Sequence, residues 1–498
     1  MTDCVILNGS SMTGPTAKQA GSYRIATQLR DADFSCQVID ISGFYEYKLF
    51  FHYIKKFITD KTIWLGISNV FLFKICEVSW PMTIQRQENN IIPTEDQKQK
   101  LNDFFATFTA DLKKAYPNLK LCYSDAGKRI SITHHGWTCF QGFVDKEIID
   151  FTHDCLADKK LKLNIYKKEY PEFNTSKIHW LPQDICNNEK VLPIEISRGC
   201  IFKCAFCAFP LNGKKKLDYI KDGNTLRQEL IYNYDNYGIT DYIFTDDTLN
   251  DSVEKLLDIK KVLDSLPFRI NFVSYLRLDL MVTKPEMADI LAEMGMISAH
   301  FGIETADKQD GLLIGKGMDF QRQIDYLNQI KQTSWKNITT RASFIMGFPN
   351  DSWEKIYKLI DWIKREDNPI DENLPITLAI VHKEFQHSRH LWFSNIDINY
   401  EQMGYEFTEK DGKPTWYNHK SGLYEIDLFN YQKIVSKEII PNSKYTVFDL
   451  MDMYNLGIDK QDLMTMNRRQ IQEKYDIPAL KKQMSLNYYR NLMKYKAK

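Results

Sequence analysis

The chain has 498 residues, 65 Lys and Arg against 65 Asp and Glu, with 43% hydrophobic and 13% aromatic residues. That length suggests about three domains of roughly 150 residues each, and the composition excludes wholesale disorder. A formal net charge of zero argues against a protein built chiefly to coat nucleic acid or acidic membrane. The first residues lack the basic stretch and apolar run of a signal peptide. The longest apolar stretch, around residues 63–73, is too short for a membrane span. A soluble cytoplasmic protein is expected, and its ten cysteines should be free thiols unless they hold a metal or cluster.

In chain order, a strand at 5–7 runs into a Gly- and Ser-rich loop and a helix over 22–29. Further strands follow at 36–39, 63–67 and 119–123, with a helix at 101–115 and a turn at 124–128. Residues 1–155 thus read as a Rossmann-like, doubly wound open sheet, which binds ligands at its carboxyl strand ends. The loop between Gly9 and Gly21 offers a place for a nucleotide tail, and 85–99 reads as an exposed polar insertion. His134 and His135 have no partner ligands at suitable spacing and read as surface residues. Residues 156–189 are taken as a linker.

A short strand at 192–197 leads into Cys200, Cys204 and Cys207, a C-x3-C-x2-C run. Three thiolates in one loop can wrap three corners of an iron–sulfur cube, leaving one iron open. A zinc site would need a fourth ligand, yet no His lies between His179 and His300, and no Cys follows Cys207. A helix is expected over 218–237, stopped by Gly238, and a second over 252–263. Strands follow at 242–245, ending in Asp246 and Asp247, and at 268–275, before Arg277. Three more lie at 298–303, before Glu304, at 339–346, before Gly347, and at 376–381. This alternation predicts a parallel, partial β/α barrel over 190–395, with its chemistry at the carboxyl ends of the strands. Beyond it, 396–498 should hold a hairpin near 400–417 and then helices. Its last stretch, 481–498, has six basic residues, Tyr488, Tyr489 and no acid. It reads as a solvated helix face or a phosphate-facing patch.

The cysteine spacing, with Phe206 just before the last cysteine, resembles the radical S-adenosylmethionine (SAM) superfamily. The resemblance implies a 4Fe–4S cluster on the three cysteines, and SAM on the open iron, cleaved to a 5′-deoxyadenosyl radical. It implies SAM contacts from Phe206, Asp246, Asp247, Arg277, Glu304 and Gly347, with Lys316 matching a further family feature. At Asp246 and Asp247 the alternative is a helix cap; at Glu304, an ion pair with Arg277; at Gly347, a simple turn. An external electron donor such as flavodoxin or ferredoxin is implied, and Lys214, Lys215 and Lys216 are a candidate docking patch for it or else an exposed turn.

A Rossmann-like domain before such a barrel is similar to the corrinoid-linked class. Gly66 and the Asp125, Ala126, Gly127 segment match by position, although the Asp-x-His-x-x-Gly motif that gives cobalt an axial His is absent. The expectation is a cobalamin-dependent methyltransferase of unknown substrate. Two alternatives stay open: a radical SAM rearrangement, cyclisation or sulfur insertion with the N-terminal domain as a scaffold, and a non-enzymatic iron–sulfur sensor. Methylthio transfer is disfavoured, because Cys4, Cys76 and Cys122 do not sit in contexts that would hold a second cluster. Neither membrane nor nucleic acid is indicated as a partner.

Overall fold

Among the described residues, two parallel sheets of six strands each are joined by a three-stranded antiparallel sheet and a helical C-terminal region. The structure, a computed structural model, describes residues 2–9, 18–41, 47–68, 95–124, 133–142, 144–167, 173–185, 189–208, 219–383 and 393–496. The loop at 10–17, most of the 85–99 stretch, residues 125–127 and Lys214, Lys215 and Lys216 lie outside the described residues.

The first sheet comprises β1 (Cys4–Gly9), β2 (Cys36–Ile41), β3 (Trp64–Ile67), β4 (Lys120–Ser124), β5 (Thr138–Gly142) and β6 (Asn164–Lys167). Their order is β2-β1-β3-β4-β5-β6, so the chain reverses direction across the sheet between β1 and β3. Both faces are covered, which is why the strands read as apolar runs rather than alternating ones. Cys4 and Ile6 face one helical layer, while Val5 and Leu7 face the other.

The second sheet runs in simple order through β7 (Val191–Glu195), β8 (Asp241–Thr245), β9 (Asn271–Leu276), β10 (Met296–Glu304), β11 (Thr339–Met346) and β12 (Glu372–Thr377). Outward residues such as Leu192, Ile194, Tyr242 and Phe244 pack under the surrounding helices. Two of those helices show why they form where they do. Val253–Asp264 starts at Ser252, whose hydroxyl accepts from Lys255 N, and turns Leu256, Ile259 and Leu263 inward. Trp353–Ile363 repeats the device with Ser352 and with Ile356, Ile360 and Ile363. The helix expected over 218–237 begins only at Gly223, because the Asp222 side chain caps it by accepting from Thr225 N.

The C-terminal region does two things that sequence periodicity alone did not reveal. The helix Val447–Asn455 enters the lower half of the barrel, where Leu450 and Met451 pack on inward-facing Val191, Ile243 and Val273. Val447 N donates to Ser298 Oγ at 2.7 Å, and Arg341 ties Glu372 of β12 to Asp449 of the plug. The helix therefore fills the amino-terminal side of the partial barrel, opposite the strand ends that carry the cysteine loop. The last helix, Ile477–Leu492, docks on the N-terminal sheet: Tyr488, Tyr489 and Leu492 join its core, and Tyr488 Oη accepts from Asp40 N at 2.7 Å. The expectation that these tyrosines flank an exposed basic patch is corrected, since both are buried. The hairpin of β13 (Tyr405–Lys410) and β14 (Lys413–Asn418) turns at Asp411 and Gly412, both at positive φ as a two-residue turn requires.

Candidate active site

A cavity of about 420 Å³ opens at the carboxyl end of the barrel. Cys200, Cys204 and Cys207 line it together, and none of the three is in a disulfide. The loop that carries them leaves β7 through Gly199 at φ +95°, a conformation suited to glycine. Backbone bonds hold it from several sides: Arg198 N donates to Tyr219 O, Ala205 N to Ile314 O, and Ile396 N to Ala205 O. Donors also face the sulfurs. Phe202 N lies 3.4 Å from Cys200 Sγ, Thr248 Oγ1 lies 3.3 Å from the same atom, and Arg277 Nη1 lies 3.7 Å from Cys204 Sγ. Among the described residues no three Cys, His, Asp or Glu side chains close on a single ion. Three thiols on one loop lining one cavity can each take a separate iron of a cluster.

The two aspartates at the end of β8 have different fates. Asp247 lines the cavity, half-buried, and burial together with the charge of Asp246 pushes its carboxyl up to about 6. Asp246 is not among the lining residues and meets a buried lysine instead. Its carboxylate lies 2.9 Å from the buried Lys255 ammonium and accepts from Thr248 N at 2.9 Å. Lys255 also meets Asp251 at 3.2 Å, making a buried charge cluster beneath the site.

Arg277 and Glu304 line the cavity but do not pair with each other. Arg277 forks onto Asp279 at 2.6 and 3.1 Å. Glu304 sits at φ +71° after a register shift in β10, accepts from Ser343 Oγ at 3.1 Å, and lies 3.4 Å from Lys316 Nζ. Lys316 Nζ also donates to Gly302 O, and a Cβ at Gly302 would fall 2.3 Å from Glu304 Oε1. Glycine is needed there so that the lysine and the glutamate can meet. Phe206 lines the cavity with its ring 5.9 Å from Lys316 Nζ and 6.2 Å from the ring of Phe348.

Gly347 is not part of the lining. It adopts φ +103°, and a Cβ on it would come within 2.8 Å of both Leu428 and Trp416. Glycine is required there by its backbone conformation and by the packing of Trp416 and Leu428.

Several lining residues escaped the sequence argument. Thr248, Tyr275, His300 and Ser343 all reach the cavity from strands or strand ends. His300 and Tyr275 stand on adjacent strands, ring centroids 4.8 Å apart. Burial, Arg341 and Lys316 lower His300 to about 3, so the imidazole is neutral in ordinary buffers. The available signal was strand alternation through β9 and β10, which needs the register to be known.

A second cavity, of about 290 Å³, lies at the carboxyl ends of β1, β3, β4 and β5 of the N-terminal sheet. Ile6, Gly66, Ser68, Cys122, Ser124 and Gly142 contribute to it. Its position beside the β1/β3 reversal is where open α/β sheets bind ligands. Among the described residues no helix is long and apolar enough to cross a membrane.

Comparison with known proteins agrees with this arrangement. The family model for the Radical SAM superfamily matches residues 194–363. An uncharacterized methyltransferase, PH0819 of Pyrococcus horikoshii, is 29% identical over 171 residues, covering 34% of this chain and 36% of the relative. The ribosomal protein uS12 methylthiotransferase RimO of Crocosphaera subtropica is 24% identical over 198 residues, covering 37% of this chain and 43% of the relative. These alignments thus span well under half the length of either relative. The radical SAM methyltransferase TsrM of Kitasatospora setae, solved with cobalamin and a 4Fe–4S cluster, superposes with a TM-score of 0.57 at 13% identity, covering 83% of this chain and 82% of that one. The cobalamin-dependent radical SAM enzyme OxsB, solved with aqua-cobalamin and SAM, gives a TM-score of 0.57 at 14% identity, covering 98% and 72%. Residues 194–363 of this chain are a radical SAM domain, set in the α/β fold of cobalamin-dependent radical SAM enzymes.

Proposed function

We propose that this protein is a radical SAM enzyme that uses cobalamin to methylate a substrate held at the barrel mouth. The observation that carries the proposal is the meeting of three cysteines from one loop with Asp247, Arg277 and Glu304 around a single cavity. The donor set fits a cluster: each thiol is unbridged, and Phe202 N–H, Thr248 and Arg277 are placed to hydrogen-bond thiolate sulfur. Cys200, Cys204 and Cys207 would hold it. When bound, the cluster with SAM would supply a 5′-deoxyadenosyl radical and cobalamin a methyl group.

The chain's own residues bind, orient and exclude water. Asp247, with its carboxyl held up to about 6, gains an ionised form once a ligand ammonium stands beside it. Arg277 and Lys316 are already neutralised by Asp279 and Glu304, so the cavity wall carries little uncompensated charge. The plug helix Val447–Asn455 fills the amino-terminal side of the barrel, which favours radical chemistry by excluding competing reactions. The reductant is an external electron donor of the flavodoxin or ferredoxin kind. The N-terminal cavity is the proposed cobalamin site, on the strength of its place in the sheet and of the shared fold.

The experiment is anaerobic purification from cobalamin-supplied cells, with iron and cobalt measured per chain and 5′-deoxyadenosine measured after addition of SAM and dithionite. About four irons, stoichiometric cobalt and 5′-deoxyadenosine are expected. Iron and 5′-deoxyadenosine without cobalt would overturn the methylation step and leave the N-terminal domain as a scaffold. Iron without SAM cleavage would overturn the enzyme.

A further inference from the structure

The wall of the N-terminal cavity is shared with the cluster loop. Arg24, from the helix Ala20–Asp31, lines this cavity and is 3% exposed, yet its Nε and Nη1 have no hydrogen-bond partner. Arg198, two positions before Cys200, lines the same cavity from the barrel side. Two carboxylates stand between the guanidinium groups. Asp145 lies 3.2 Å from Arg24 Nη2 and 3.5 Å from Arg198 Nη1. Glu195, the last residue of β7, lies 2.8 Å from Arg198 Nη2 and 3.5 Å from Arg24 Nη1. Buried Phe173 has Arg24 over its ring at 5.7 Å and Arg198 at 5.2 Å.

Two cations and two anions thus close a neutral ring that joins the N-terminal sheet to the loop carrying the cysteines. Arg24 is the less satisfied member of the ring: it lines the cavity, its Nε has no hydrogen-bond partner, and its Nη1 stands 3.5 Å from Glu195 without a hydrogen bond. A ligand with a hydrogen-bond acceptor at that wall would satisfy Arg24 and leave both carboxylates to Arg198. Burial already raises the Asp145 and Glu195 carboxyls, so each relies on its guanidinium partners to stay ionised.

We propose that Arg24, Asp145, Glu195 and Arg198 are positioning residues that link occupancy of the N-terminal cavity to SAM binding at the cluster loop. The inference rests on the function proposed above, but concerns coupling rather than chemistry. An acceptor-bearing ligand in the N-terminal cavity fixes Arg198, which fixes Gly199 and Cys200, and so SAM binds more tightly. By linkage, SAM tightens the N-terminal ligand by the same factor.

The test uses the full chain with its cluster reconstituted anaerobically, and hydroxocobalamin as the probe. SAM affinity is measured by equilibrium dialysis with and without saturating hydroxocobalamin, and then reciprocally. An effect of about fivefold in each direction is expected. Glu195→Gln lines neither cavity, so it should keep each separate affinity within about twofold while reducing the linkage to less than about twofold. Asp145→Asn is the second variant should the first fail to fold; Asp145 lines the N-terminal cavity, so only the SAM affinity without hydroxocobalamin should stay within about twofold, while the linkage falls likewise. Hydroxocobalamin binding with no effect on SAM, or linkage unchanged in both variants, would refute the coupling alone. Failure of hydroxocobalamin to bind a chain that holds iron and SAM would refute both the coupling and the cobalamin assignment.

Discussion

The Arg277 guanidinium lies over the ring of Phe202, 4.1 Å from its centroid, and so spans from the end of β9 to the cysteine loop. Its fork onto Asp279 fixes the direction of approach, and its Nη1 points toward Cys204 Sγ. A cation and an N–H donor beside a thiolate stabilise the more negatively charged, reduced cluster. Arg277→Gln should therefore shift the cluster potential to more negative values and lower SAM cleavage about tenfold. A redox titration followed by electron paramagnetic resonance checks the first effect, and an unchanged potential would remove Arg277 from this role.

Asp246 and Asp247 are adjacent in sequence and opposite in purpose. Asp246→Asn leaves Lys255 with a poorer partner in a buried cluster. It should cost about 3 kcal/mol of stability while SAM affinity stays near that of the native chain. Asp247→Asn should do the reverse, weakening SAM about tenfold with little change in unfolding. Urea denaturation and SAM dialysis on the same two variants decide the matter. Equal effects on both properties would contradict the assignment.

His300 gives a pH dependence with a definite sign. Its folded value of about 3 lies below the ordinary 6.5, so the unfolded chain takes up a proton that the folded one refuses. The stability carried by neutral His300 is complete above pH 6.5 and is lost as pH falls toward 3. Asp247 and Asp351, both raised to about 6, act in the opposite sense between that value and the ordinary 3.8. The useful quantity is thus the difference between the native chain and His300→Gln. It should shift against the native chain by about 2 kcal/mol between pH 7 and pH 5, measured by denaturant unfolding.

Gly347→Ala tests the packing of the C-terminal hairpin without entering the cavity. The new methyl would meet Trp416 and Leu428 in a backbone conformation strained for alanine. A loss of about 2 kcal/mol is expected from strain and overpacking, with iron content unchanged. A variant as stable as the native chain would contradict the packing account.

The sequence made some of this legible for a local reason. Three cysteines within eight positions and a strand before them are set by spacing, so the loop and its place above the barrel could be read directly. Which of Asp246 and Asp247 faces the cavity could not, because that depends on how the chain leaves β8 and on a lysine nine positions after Asp246. The roles of His300 and Tyr275 depend on strand register. The plug residues Leu450 and Met451, and Tyr488 against Asp40, are contacts across hundreds of positions, for which periodicity carries no signal. Gly347 shows the opposite hazard: a glycine at a strand end suits both a ligand approach and a turn, and only the neighbouring Trp416 decides.

The most direct test of the central claim is reductive SAM cleavage by the anaerobically reconstituted full chain and by Cys200→Ala, Cys204→Ala and Cys207→Ala. The account predicts 5′-deoxyadenosine from the native chain and none from any of the three variants, each with its iron content reduced. Retention of SAM cleavage in all three variants, or a native chain that holds zinc in place of iron, would contradict it.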